Sequence, residues 1–136
     1  MVANDYQYIL QNMQKELEVQ AEKVGNLTKE RDNAGKQIGA IEAQLSETKV
    51  VLDELEIVGE DATIYKLLGP VLVKQDKELA LQTINNRKSH METELKRCSQ
   101  TVNDVGKKIT KEQDNLRDLH MKSQHVKQAL MGAPQQ

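Results

Sequence analysis

The sequence contains no tryptophan and no phenylalanine, and its only aromatic residues are three tyrosines. Aromatic side chains supply much of the bulk of a compact core. Their near absence speaks against a globular body of the usual kind. There is a single cysteine, Cys98, so no disulfide can form within the chain. A reducing, intracellular setting is the simple expectation. Neither sign of charge dominates: 19 basic and 21 acidic residues are interspersed along the chain and give a net charge of −2. Nucleic-acid binding needs a basic face, which this balance does not provide. No apolar run approaches the ~20 residues that a membrane-spanning helix requires. The opening residues, Met-Val-Ala-Asn-Asp-Tyr, have neither a basic start nor an apolar stretch, so no secretory signal is expected.

Patterns that carry chemistry are equally scarce. Gly25, Gly35 and Gly39 are separated by helical sequence and follow no strand, so they make no phosphate-cradling loop. The histidines are His90, His120 and His125. The last two are five apart and do not stack on one helical face as i, i+4 metal ligands do. Cys98 falls in an apolar helical stripe and reads as a buried, inert thiol. Carboxylates are plentiful, but none stands beside a base in a recognisable constellation. The chain reads as a non-enzyme with no cofactor and no metal.

What the sequence does have is periodicity. Charged residues make up 29% of the chain, and Gln, Glu, Lys and Leu are abundant, as in long paired helices. From Leu10 the positions Met13, Leu17, Gln20, Val24, Leu27, Arg31, Ala34, Ile38, Ile41, Leu45, Thr48, Leu52 and Leu55 follow in strict 3-4 spacing. Eleven of these fourteen are apolar. A second series runs through Leu81, Ile84, Lys88, Met91, Leu95, Cys98, Val102, Val105, Ile109, Glu112, Leu116, Leu119, Ser123, Val126 and Leu130, with twelve of fifteen apolar. A 3.5-residue period held this long imposes a left-handed supercoil with a partner helix. The first helix alone spans about 70–80 Å at the α-helical rise. Asn4 or Asp5 is expected to cap it, and Gly59 to end it as a C′ residue. Asp76 and Glu78 suit the start of the second helix, and Gly132 and Pro134 its end. Glu92–Lys96, Asp104–Lys108 and Asp118–Lys122 are candidate i, i+4 ion pairs.

Between the series lies a stretch of different character, Ala62 to Gln75. It is rich in β-branched and aliphatic residues and is interrupted by Gly69-Pro70. That predicts two strands joined by a type II′ turn, with glycine at the first central position and proline's fixed φ at the second. Ile64, Tyr65, Leu67, Leu68, Val71, Leu72 and Val73 put apolar groups on both faces of the ribbon. A lone hairpin is marginal in water, and nothing else in the chain reads as sheet, so the covering strands are expected from other chains. The two helical series are nearly equal in length and the hairpin reverses the chain between them. They are expected to pair antiparallel.

The expected fold class is therefore mainly α: a long antiparallel two-helix coiled coil joined by one β-hairpin. The 136 residues form one structural unit: helix 1 at about 5–58, the hairpin at about 62–75, helix 2 at about 77–131 and a short tail at 132–136. Both termini would then meet at one tip. There Val2, Tyr6, Tyr8, Ile9, Leu10, Met13, Val126, Leu130 and Met131 gather. Tyr8, Ile9 and Leu10 are consecutive, so they cannot all face one seam, and some apolar surface should stay exposed. The residues alone leave two readings open: closure of the coiled-coil end, or a binding patch.

The run Asp61-Ala62-Thr63-Ile64-Tyr65-Lys66-Leu67-Leu68-Gly69-Pro70-Val71-Leu72-Val73-Lys74-Gln75 resembles the prefoldin family, specifically its β-class subunits of the subunit 6 type. Glu94-Leu95-Lys96-Arg97 continues the likeness into helix 2. The resemblance implies a hetero-hexamer of two α-class and four β-class subunits, whose hairpins form an intersubunit β-barrel. Ile64, Tyr65, Leu67, Leu68, Gly69, Pro70, Val71, Leu72 and Val73 would serve that assembly. It further implies a cytoplasmic co-chaperone that captures non-native proteins such as actin and tubulin without ATP and passes them to the group II chaperonin. It tips the patch at the helix ends towards client binding. The competing expectations are a scaffolding coiled coil without clients and a helical arm of a larger enzyme, like that of a seryl-tRNA synthetase. The latter would carry basic residues for RNA.

Overall fold

The structure, a computed structural model, describes residues 2–132, with side chains from residue 5 onward. Its elements in chain order are α1 (Val2–Ile57), β1 (Ile64–Leu68), β2 (Val71–Gln75) and α2 (Lys77–Gly132). The strands pair antiparallel as a two-stranded sheet, in the register Ile64↔Gln75 to Leu68↔Val71. Leu68 and Val71 face each other, so Gly69-Pro70 forms a two-residue turn. Gly69 has φ +59, and no other described residue has a positive φ. Proline cannot adopt one, which leaves type II′ as the two-residue turn that fits.

The heptad series maps onto burial. All fourteen seam positions from Leu10 to Leu55, and all fifteen from Leu81 to Leu130, are buried or half-buried. Between them, only Thr28 in α1 and Glu94, Thr101 and Gly106 in α2 are also withdrawn from solvent. A stripe this narrow is the a/d seam of a coiled coil rather than the wider face of a helix on a globular core. Its most buried members are Cys98, Ile109 and Val105. Truncating a buried seam leucine such as Leu45 or Leu52 to alanine should cost about 2–5 kcal/mol.

Two compact units share these helices. One unit holds Met1–Asn33 and Thr101–Gln136. Within it Gln20 and Lys23 meet Glu112, while Leu10 and Lys127 line a common groove. The other unit is Ala34–Gln100. Within it the Cys98 thiol donates to Gln37 Oε1 at 3.4 Å, and Lys77 Nζ donates to the Val58 carbonyl at 3.0 Å. In each unit the α2 number falls as the α1 number rises, which makes the pairing antiparallel.

The helix ends differ from expectation. α1 begins at Val2, so Asn4 and Asp5 lie inside its first turn instead of capping it. There Asp5 still sits favourably at the positive end of the macrodipole. Gly59 does not take the positive φ of a C′ glycine. α1 instead runs out through a Val58 N–H bond to the Glu54 carbonyl at 3.2 Å, followed by a tight turn in which Ala62 N–H donates to the Gly59 carbonyl at 3.0 Å. At α2 the Asp76 carbonyl accepts from Ala80 N–H at 2.9 Å, which marks Asp76 as the N-cap. Pro134 lies outside the described residues. The three expected i, i+4 pairs are not among the ion pairs of the described residues; Glu92 meets Lys88 at 4.0 Å instead. Exposed lysines gain too little from one partner to be fixed on it.

Candidate functional site

Strand geometry sorts the hairpin residues into two faces. Ile64, Lys66, Leu68, Val71, Val73 and Gln75 share one face, and Tyr65, Leu67, Leu72 and Lys74 the other. Leu68 opposes Val71 on the first and Leu67 opposes Leu72 on the second. Ile64 is half-buried, whereas Tyr65, Leu67, Leu68, Val71, Leu72 and Val73 are all exposed. Neither outer edge of the ribbon has a strand partner among the described residues. The hairpin thus offers unpaired backbone donors and acceptors beside open aliphatic surface, the two requirements for strand addition from another chain.

The nine residues expected at the tip divide. Leu10, Met13, Val126 and Leu130 are half-buried in the seam. Tyr6, Tyr8, Ile9 and Met131 are exposed, Met131 at 79% and Tyr8 at 66%. The Val2 side chain lies outside the described residues. A groove of about 910 Å³ in the same unit begins at Leu10 and is lined on its apolar side by Leu17, Ala21 and Leu116. Gln14, Glu18, Arg117, His120, Gln124 and Lys127 give it a mixed polar border. Such a surface has apolar purchase and exchangeable polar contacts. It suits many loosely fitting partners better than one rigid ligand.

A polar layer fixes the register of this unit. Gln20 and Glu112, each an interruption of an apolar series, face one another. The Gln20 amide donates to Glu112 Oε2 and, at 3.0 Å, to the Glu112 carbonyl oxygen. Lys23 Nζ lies 3.4 Å from Glu112 Oε1, and Asn115 Nδ2 donates to Oε2 at 3.5 Å. The Gln20 hydrogen bond, helped by those from Lys23 and Asn115 and by the lysine charge, holds the Glu112 carboxyl below its ordinary pKa against the opposing effect of burial. Among the described residues no group of three or more His, Cys, Asp or Glu is placed to hold a metal ion. No helix there is long and apolar enough to cross a membrane.

A profile of the family described as "Prefoldin subunit" matches residues 18–123. The chain belongs to the prefoldin subunit family. It is similar to the "Probable prefoldin subunit 6" of Drosophila melanogaster, at 36% identity over 102 residues that cover 75% of this chain and 82% of that one. It is similar to the "Prefoldin subunit 6" of Homo sapiens, at 32% over 122 residues covering 90% and 95% of the two chains. The Arabidopsis thaliana "Prefoldin subunit 6" gives 35% over 121 residues, 89% and 91% of the two chains. Among solved structures, the prefoldin beta subunit from Thermococcus strain KS-1 superposes with a TM-score of 0.69 over 76% of this chain and 90% of that one. At 19% identity that likeness speaks for the fold.

The prefoldin plan of two long helices around one hairpin therefore holds here. Several exposed apolar residues of this prefoldin chain escape the heptad reading: Val19 and Met121 in one unit, and Val50, Val51, Ile57 and Leu79 in the other. A heptad reading follows the seam and passes over residues that face away from it. The signal that finds them is apolar character at positions where a coiled coil carries charge.

Proposed function

We propose that this chain is one β-class subunit of a prefoldin hetero-hexamer, built from two α-class and four β-class chains. The observation that carries the reading is the hairpin: six aliphatic or aromatic residues exposed on both faces, with neither edge paired among the described residues. The names of the relatives, prefoldin subunit 6, fit a chain that works beside other subunits. Strands from neighbouring subunits add to Ile64–Leu68 and Val71–Gln75 and close a barrel. This removes edges that would otherwise invite aggregation.

In the unit that holds both helix ends, Tyr6, Tyr8, Ile9 and Met131 touch exposed apolar segments of a non-native protein. Leu10, Met13, Val126 and Leu130 hold the helices together beneath them. One such contact is weak. Several tips on one body act together, because each raises the effective concentration of the next for the same client. Release needs no nucleotide hydrolysis, only transfer to a tighter binder. The group II chaperonin of the cytoplasm is that acceptor, and actin and tubulin are the clients.

The test replaces Tyr8, Ile9 and Met131 with glutamine in the assembled complex and follows suppression of aggregation of unfolded actin. The expected result is an assembly of unchanged mass with most of its holding activity lost. Unchanged holding at unchanged mass would leave a scaffolding coiled coil.

A further inference from the structure

With a and d on the seam, position f of each heptad points away from it. In α1 the first four f residues are Lys15, Glu22, Lys29 and Lys36; the next three are Ala43, Val50 and Ile57. The back of the helix thus changes from charged to aliphatic over its last turns. Val50 is 56% exposed and Ile57 82% exposed, and Val51 beside them is also open. Val50 and Ile57 are seven apart and so lie on one face, two turns from each other. α2 repeats the change at Leu79, its first f position, which is 54% exposed. Single exposed aliphatics need no explanation, but two at successive f positions, where a coiled coil carries charge, do.

The surroundings say what covers it. Asp53, Glu54 and Glu56 border the stripe, are exposed, and take part in none of the ion pairs of the described residues. An apolar centre with a charged rim is the anatomy of a protein–protein contact. Valine and isoleucine are stiff at χ1 and hold a fixed shape, unlike the adaptable methionine of promiscuous surfaces. They suit one fitted partner. Ile57 also belongs to the same unit as the hairpin, seven residues before β1 starts.

We propose that Val50, Val51 and Ile57 form a second contact surface for the neighbouring subunit that adds its strand to the hairpin. The partner face is aliphatic, with lysine or arginine at its edge to meet Asp53, Glu54 and Glu56. This rests on the hairpin-assembly reading above. In that assembly each subunit is held by strand pairing and, at right angles in function, by a side-chain contact that also fixes the direction in which its helices leave the body.

The experiment uses the complete assembly reconstituted with its partner subunits. Three versions of this chain are compared: unaltered, Val50→Gln with Ile57→Gln, and Leu67→Gln with Leu72→Gln. Glutamine keeps helix propensity, and helical content by circular dichroism checks that the chain still folds. Sedimentation over a dilution series reads dissociation. Both double variants are expected to dissociate at concentrations roughly tenfold or more above the unaltered assembly. Loss of assembly by the hairpin variant with none by the helix variant overturns the second surface alone. Intact assembly for both overturns the hairpin reading with it. A photo-crosslinker on Ile57→Cys in the purified complex is expected to join one neighbouring subunit; no crosslink, or one only to added unfolded client, overturns the proposal.

Discussion

Gln20 and Glu112 meet across the seam, each one of three non-apolar members of its series, with the Gln20 amide donating to both the carboxylate and the backbone carbonyl of Glu112. A polar pair in a coiled-coil seam costs stability compared with leucine but penalises every register in which it is mismatched. The pair therefore sets how α1 slides along α2 within its unit. It also ties that unit to pH.

The Glu112 carboxyl titrates below its unfolded value, because the Gln20 hydrogen bond, then Lys23 and Asn115, favour the charged form. A group whose native pKa is lowered stabilises the fold above its unfolded pKa, near 4.3 for glutamate, and loses that contribution as pH falls through the native value. Thermal unfolding of the unaltered chain and of Glu112→Gln, compared from about pH 6 down to about pH 3, should show a smaller acid loss in the variant. Gln20→Ala should return the Glu112 titration towards the ordinary range, read by NMR of the carboxyl carbon. Parallel pH curves for all three would contradict the assignment.

The start of α2 caps the end of α1. Lys77 Nζ reaches the Val58 carbonyl at 3.0 Å. The last turn of α1 carries no basic residue of its own, and Asp53, Glu54 and Glu56 crowd it with unfavourable charge. Lys77 supplies the missing cation from the next element. Lys77→Met keeps the aliphatic stem and removes the bond. It should destabilise the chain by about 1 kcal/mol in urea unfolding, with faster amide exchange from Val58 to Ala62. An unchanged midpoint would show that the bond contributes nothing in solution.

Gly25, Gly35 and Gly39 interrupt α1 off the seam, and a methyl group at each would meet nothing within 4 Å. Each glycine in a helix interior costs about 0.5–1 kcal/mol relative to alanine. Replacing all three with alanine should therefore raise stability by about 2 kcal/mol. The same variant tests whether the glycines serve a pliable arm. If they do, holding of unfolded actin drops although the chain is more stable.

Much of this was legible in the sequence, for physical reasons. A 3-4 spacing kept for seven heptads can bury only one narrow stripe, so every seam residue from Leu10 to Leu55 and from Leu81 to Leu130 was assigned by arithmetic. Gly69-Pro70 admits one kind of two-residue turn, and its φ agrees. Helix ends were less legible. Asn4, Asp5 and Gly59 carry capping propensity, but propensity does not fix where a helix stops when a side chain such as Lys77, distant in sequence, satisfies the last carbonyls. Ala80, one residue ahead of the second series, is 4% exposed, but alanine gives little apolar signal of its own in a sequence. Val50 and Ile57 are the opposite case: they are strongly apolar but lie off the seam that the heptad spacing marks. Pairing of Gln20 with Glu112 needed the antiparallel register, which neither series contains alone.

The measurement that tests the central claim most directly is the native mass and composition of the complex that this chain forms, tagged and recovered gently from its own cells. The account predicts a particle roughly six times the mass of the monomer, holding this chain together with other small coiled-coil subunits. A lone monomer or a simple homodimer would contradict it, because the hairpin would then recruit no strands from other subunits.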